Sequence, residues 1–141
     1  MRFVDTNVLL YAVSEAPEDR AKQRIALDLL RRRDLALSVQ VLQEFYTQAT
    51  RSSRPRALAH EEAAAWVRSL ERFPVQAVTL DVLWDALAIH ERFGLSYWDG
   101  AVLAAARLRG CDAVYSEDMS DTQDYGGLRV INPFAETRAG A

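Results

Sequence analysis

Apolar and polar positions change period several times along the chain, and each change marks a switch between strand and helix. Phe3-Val4 is a short apolar run that stops at Asp5-Thr6-Asn7, the pattern of a strand running into a turn. Val8 to Val13 reads as a short helical turn. Pro17 with Glu18 and Asp19 marks a helix start, because proline and acids suit a first turn. Ala21, Ile25, Leu29 and Leu30 then recur at helical spacing as far as Arg31-Arg32-Arg33, where positive charge favours a helix C-terminus. Leu35 to Ser38 is a predicted strand and Val39 to Ala49 a helix with Val41, Leu42, Phe45 and Ala49 on one face. Residues 51–56 form a loop, and His60 to Phe73 a helix that Pro74 ends.

Val75 to Leu80 follows as a strand, with Asp81 as N-cap of a helix to Phe93 and Gly94 as its stop. Tyr97 to Arg109 is helical and apolar nearly all round, so burial is expected. Asp112 to Ser116 and Leu128 to Ile131 are the last strands, and residues 135–141 are expected to be a loose tail. Strands that alternate with helices predict an α/β fold: a three-layer α/β/α sandwich with a central, mainly parallel sheet. A length of 141 residues fits one domain over residues 1–134. Sites in such sheets form in the crevice outside the carboxyl ends of the strands.

Composition adds limits. The lone cysteine, Cys111, excludes an intrachain disulfide and fits a reducing cytoplasm. No run approaches the roughly 20 apolar residues of a membrane helix, and no targeting segment stands out, so a cytoplasmic location is expected. The net charge of −3, from 20 acidic and 17 basic residues, weighs against a broad nucleic-acid-binding surface.

Four acids are candidates for chemistry. Asp5 stands directly after the first strand, and Asp118 stands two residues after the strand that ends at Ser116. Carboxyl ends of parallel strands point into one region, so these two acids are expected to be neighbours. Asp99 opens the most apolar helix and shares a face with Val102, Leu103 and Ala106, where a carboxylate is costly unless paired or bound to a cation. Glu44 sits at the edge of an apolar helix face, with glutamines rather than basic residues at i±4. Each has an ordinary alternative: capping or turn duty for the aspartates, and a solvated position for Glu44. Together they suggest a hard-cation site, because oxygen donors suit Mg²⁺ or Mn²⁺. His60, His90 and Cys111 have no zinc-type spacing, and Gly126-Gly127 is a turn signal, not a phosphate loop.

These segments are recognisable as a set. Phe3-Val4-Asp5-Thr6-Asn7-Val8-Leu9-Leu10-Tyr11 resembles the opening motif of the PIN-domain ribonucleases. Val41-Leu42-Gln43-Glu44-Phe45-Tyr46 is similar to their second motif, and Leu95-Ser96-Tyr97-Trp98-Asp99-Gly100-Ala101 to their third. Tyr115-Ser116-Glu117-Asp118-Met119 resembles the fourth, and Val130-Ile131-Asn132-Pro133-Phe134 the terminal strand. The likeness covers essentially the whole chain, and its length is most similar to the VapC-type toxins of toxin–antitoxin pairs. The resemblance implies Asp5, Glu44, Asp99 and Asp118 as catalytic and metal-holding acids, with Asn7 and Ser116 in support. Asp121 is a further candidate ligand. It also implies Mg²⁺ or Mn²⁺ as cofactor, RNA as substrate, a small antitoxin as partner and a possible homodimer. Arg51, Arg54 and Arg56, in the loop after the Glu44 helix, are the candidate RNA contacts, and the apolar side of the first helices, including Tyr11, Ile25 and Leu29, is a candidate antitoxin contact.

Three other readings stand beside it. A phosphatase of the haloacid-dehalogenase type also begins with a strand and an aspartate, but needs a second aspartate where this chain has Asn7. A catalytically inactive PIN-like binding module is expected to show substituted acids, and all four positions are acidic. A housekeeping RNA-processing nuclease would share every motif of the toxin. The charge balance separates none of these. Taking the four candidate ligands from 20 acids leaves 16 against 17 bases, so the rest of the chain is nearly neutral.

Overall fold

The computed structural model describes residues 1–135; of the tail expected over 135–141, residues 136–141 lie outside them. Five strands form one sheet: β1 (Arg2–Val4), β2 (Leu35–Ser38), β3 (Val75–Gln76), β4 (Ala113–Tyr115) and β5 (Arg129–Ile131). Their order is β3-β2-β1-β4-β5, and every pair of named strands is parallel. An isolated antiparallel bridge joins Asp124 and Arg129. Among the described residues the named α-helices are α1 (Thr6–Ala12), α2 (Arg20–Leu29), α3 (Val39–Ala49), α4 (His60–Leu70), α5 (Leu80–Phe93) and α6 (Tyr97–Leu108). This is the expected α/β/α sandwich.

The layers follow from crossover handedness. The chain steps from β1 to β2 to β3 in one direction and then returns past β1 to β4. Right-handed crossovers therefore put α1–α4 on one face and α5–α6 on the other. The contacts agree: α1 packs on α2 and α3, α3 on α4, and α5 along α6, which touches β2, β3 and β4. Phe3, Val4, Leu35, Leu37, Val114 and Val130 are fully buried between these layers. In α6 every residue from Gly100 to Ala106 is buried, which explains why its sequence is apolar all round. Among the described residues no helix is long and apolar enough to cross a membrane.

Several boundaries differ from the sequence expectation, each for a local reason. Helix α1 begins at Thr6 rather than Val8, because the Asp5 carboxylate accepts from the Thr6 N–H and caps it. Strand β3 stops at Gln76 instead of reaching Leu80. Its partner β2 ends at Ser38, opposite Gln76, and turns into α3, so nothing remains for the later residues to pair with. The N-cap of α5 is Thr79, whose Oγ1 accepts from the Val82 N–H, and Asp81 falls inside the first turn. Gly94 closes α5 in the left-handed region at φ 69°, as expected. Helix α4 ends at Leu70, three residues before Phe73. Tyr11, Ile25 and Leu29 pack against the core, so they offer less open surface than their sequence pattern suggests.

At Gly100, α6 lies against the backbone of α5 with no room for a side chain. A Cβ built there would lie 2.9 Å from the Ala86 backbone oxygen. Gly100→Ala is expected to destabilise the protein by about 1–3 kcal/mol in urea unfolding, although alanine is the better helix former. An unchanged or raised midpoint would contradict this packing.

Candidate active site

The strand order reverses between β1 and β4, which opens a crevice at their carboxyl ends. Asp5 sits there, and its main chain is still tied to the sheet: its N–H donates to the Tyr115 carbonyl at 3.0 Å. Its side chain is buried, with 5% of the residue exposed. Oδ1 caps α1 through the Thr6 N–H at 2.8 Å, and Oδ2 accepts from Ser116 Oγ at 2.8 Å. Ser116 Oγ in turn accepts from the Asp118 N–H at 3.1 Å, which fixes the loop after β4.

Asn7 bridges the same elements. Its Nδ2 reaches Asp118 Oδ2 at 3.1 Å, Ser116 Oγ at 3.2 Å and Asp5 Oδ2 at 3.4 Å, while its Oδ1 accepts from the Glu117 N–H at 3.1 Å. Glu44 arrives from α3. Thr6 Oγ1 donates to its Oε2 at 2.8 Å, and Gln40 Nε2 donates to its Oε1 at 2.9 Å. Asp99 lies in the first turn of α6, where its N–H donates to the N-cap Ser96 Oγ at 3.1 Å. Helix α6 runs back to the start of β4, so its N-terminus faces the carboxyl end of the sheet.

All four acids line one cavity of about 170 Å³, with Thr6, Asn7, Leu10, Gln48, Trp98 and Val102 as the remaining wall. Among the described residues none of the four is in a salt bridge. The electrostatics register this crowding. Burial raises the Asp5 carboxyl to about 6, against the hydrogen bonds from Ser116 and Thr6, and the charges of Asp118 and Asp99 push it the same way. Asp99 is raised too, first by burial and then by Asp118 and Glu44, although Ser96 opposes the shift.

Among the described residues no three His, Cys, Asp or Glu side chains stand close enough together to hold a metal ion between them as they are placed. The open set suits a different kind of occupant. Mg²⁺ keeps several waters, takes one or two carboxylates and completes its shell with substrate phosphate. Oxygen-only donors, crowded and lacking a cationic partner, fit a hard divalent ion of that kind.

The other expected residues are placed differently. The Asp121 side chain does not line the cavity; its Oδ1 accepts from the Asn132 N–H at 2.8 Å and ties the loop to the end of β5. Glu117 turns outward to Lys22 Nζ at 2.6 Å and accepts from Tyr11 Oη at 2.7 Å. Of the three loop arginines, only Arg54 comes near. It shares an adjoining hollow with Asn7, Leu10 and Asp118 and donates to the Leu10 carbonyl. Arg56 donates to the Glu15 carbonyl, and Arg51 is exposed. Cys111 is buried, with its thiol pushed up to about 11 by burial, which leaves it inert. Sequence reasoning assigned no role to Thr6, Gln40 or Trp98. The i,i+4 spacing of Gln40 and Glu44 was the one signal that pointed to a pair.

The sequence matches the profile of the PIN domain over residues 2–121, a span that holds all four acids. Among curated proteins, none matches it. Solved structures do. A toxin–antitoxin complex from Klebsiella pneumoniae superposes with a TM-score of 0.71 at 19% identity, over 94% of this chain and 98% of that one. Mycobacterium tuberculosis VapC20, described as a sarcin-ricin loop cleaving toxin, gives 0.64 at 25% identity, over 84% and 90%. DNA-bound VapBC from Salmonella typhimurium gives 0.62 at 22%, over 94% and 97%. At such identities the structural likeness speaks for the fold, whereas the sequence profile covers the acid-bearing segments themselves, and by that match the chain belongs to the PIN-domain family.

Proposed function

We propose that this protein is a divalent-metal-dependent endoribonuclease of the cytoplasm, the toxin of a toxin–antitoxin pair. One observation carries the reading: four carboxylates from four separate segments line one small cavity at the topological switch point, without a cationic side chain to neutralise them. Asp5, Glu44, Asp99 and Asp118 would hold the ion. A divalent ion such as Mg²⁺ or Mn²⁺ held by these acids would supply activation of water and neutralisation of charge on the phosphate oxygens. The protein's own side chains do the placing. Ser116 and Asn7 fix the orientation of Asp5 and Asp118, and Thr6 with Gln40 fixes Glu44. Arg54, beside Asp118, is the loop arginine best placed to meet a phosphate. The structural neighbour described as a toxin–antitoxin complex supports a small antitoxin as partner.

Purified protein is expected to cleave RNA internally with Mg²⁺ or Mn²⁺. Asp5→Asn and Asp99→Asn should each lose more than about a hundredfold in rate, since even outer-shell partners of metal ligands are worth 10- to 100-fold. Undiminished cleavage by both variants would sink the assignment.

Metal-free stability gives a second check. The folded Asp5 carboxyl is raised from 3.8 to about 6, so it binds its proton more tightly than the unfolded chain does. The stabilisation is therefore full below about pH 4 and is lost as pH rises through 6, a penalty of order 3 kcal/mol at neutral pH. Asn keeps the cap without the charge. In EDTA, Asp5→Asn should exceed wild type by about 1–3 kcal/mol in urea unfolding at pH 7.5, with the gap closing towards pH 4. A variant equally destabilised at both pH values would contradict the burial penalty.

A further inference from the structure

Trp98 is the residue where three hollows of the surface meet. It forms part of the acidic cavity wall next to Asp99. It also borders a hollow of about 490 Å³ on the α3 side, with Gln40, Gln43, Glu44, Thr47 and Gln48, and an apolar one that continues to Leu80 and Leu83. A tryptophan is an expensive residue to leave open, yet 64% of Trp98 is exposed. Its position is nevertheless fixed. It stands in the first turn of α6, its carbonyl accepts from Gln40 Nε2 at 3.3 Å, and its ring stands edge-on to Tyr97 at 5.0 Å between centroids.

The lining of the α3 hollow says what it suits. No arginine or lysine borders it, so it is not built for phosphate. Apart from the Glu44 carboxylate, which it shares with the acidic cavity, its polar side chains are amides and a hydroxyl, which both donate and accept, as the edges of nucleobases do. A flat aromatic face beside amides is how proteins hold unstacked bases of single-stranded RNA. The neighbouring acidic cavity is where the scissile phosphate would lie.

We infer that Trp98 is the stacking platform for one unpaired base next to the cleaved bond, with Gln43, Thr47 and Gln48 facing its edge. The substrate is then RNA that is single-stranded at the cut, and the α3 face selects the base. This inference rests on the ribonuclease reading. The apolar continuation to Leu80 and Leu83 would instead suit a protein contact, but a protein contact there explains neither the uncharged amides nor the shared wall with Asp99.

The test uses labelled 12-nucleotide RNAs of mixed sequence, single-stranded or annealed to a complement, with Mg²⁺ present. Stopped-flow anisotropy reads binding ahead of cleavage. Trp98→Ala should weaken single-strand binding about 5- to 150-fold, the range of one base–aromatic stack, and leave duplex binding unchanged. Trp98→Phe should keep most of the affinity. An abasic site placed at each central position in turn should weaken wild type at one position, and Trp98→Ala no further. Undiminished single-strand binding, an equal loss on duplex, or an abasic penalty that persists in Trp98→Ala would overturn the inference. So would a variant that binds RNA normally but changes mass in sedimentation, which would make the face a protein contact. If wild type cuts RNA and Trp98→Ala binds equally well, this inference alone fails. If RNA binds through Trp98 and is never cut, the ribonuclease reading alone fails. If wild type binds no RNA, both fail.

Discussion

Asp5 ends the central strand with its main chain still bonded to β4 while its side chain already caps α1. Both oxygens of that buried carboxylate are engaged, one by the Thr6 N–H and the other by Ser116. Through Ser116 it fixes the loop that carries Asp118, and through Asn7 it is tied to that loop a second time. The capped first turn also presents Thr6 to Glu44 on α3. One short segment thus joins β1, β4, α1 and α3. The arrangement opposes its own ionisation, since burial and two neighbouring carboxylates hold the Asp5 carboxyl near 6. A bound cation removes that conflict, which is why the geometry and the electrostatics lead to the same chemistry.

Topology makes the meeting possible. Strand β4 lies beside β1 only because the chain returns past it after β3. The return requires α5 and α6 on the opposite face, and α6 then points its N-terminus, with Asp99, at the crevice. Gly100, directly after Asp99, leaves no room for a Cβ against the Ala86 backbone of α5, so the packing of that layer helps set where this acid stands.

The sheet, the helices and the four acids were legible in the sequence because each depends on local pattern: apolar period, punctuation by proline and glycine, and an acid directly after a strand. The boundaries that moved depend on partners distant in sequence. Nothing within Val75 to Leu80 shows that β2 ends at Ser38 and leaves β3 two residues long. Motif resemblance favours Asp118 over Asp121 without excluding the latter as a ligand. Only the fold shows that Asp121 bonds the Asn132 N–H while Asp118 faces Asn7. The loop arginines looked equivalent for the same reason, until the fold gave Arg54 alone a place in a hollow that Asp118 also lines. The net charge of −3 says little by itself, because four of the acids it counts are gathered in one cavity.

Cation binding by the acidic cavity is the claim on which the functional account turns, and Mn²⁺ electron paramagnetic resonance reads it directly. Titration of Mn²⁺ into the metal-free protein should remove the six-line signal of the free ion as it binds, with one or two ions per chain, and Asp5→Asn combined with Asp99→Asn should restore the free-ion signal. A free-ion signal that survives in wild type at millimolar protein, or that is lost equally in the double variant, would contradict the account.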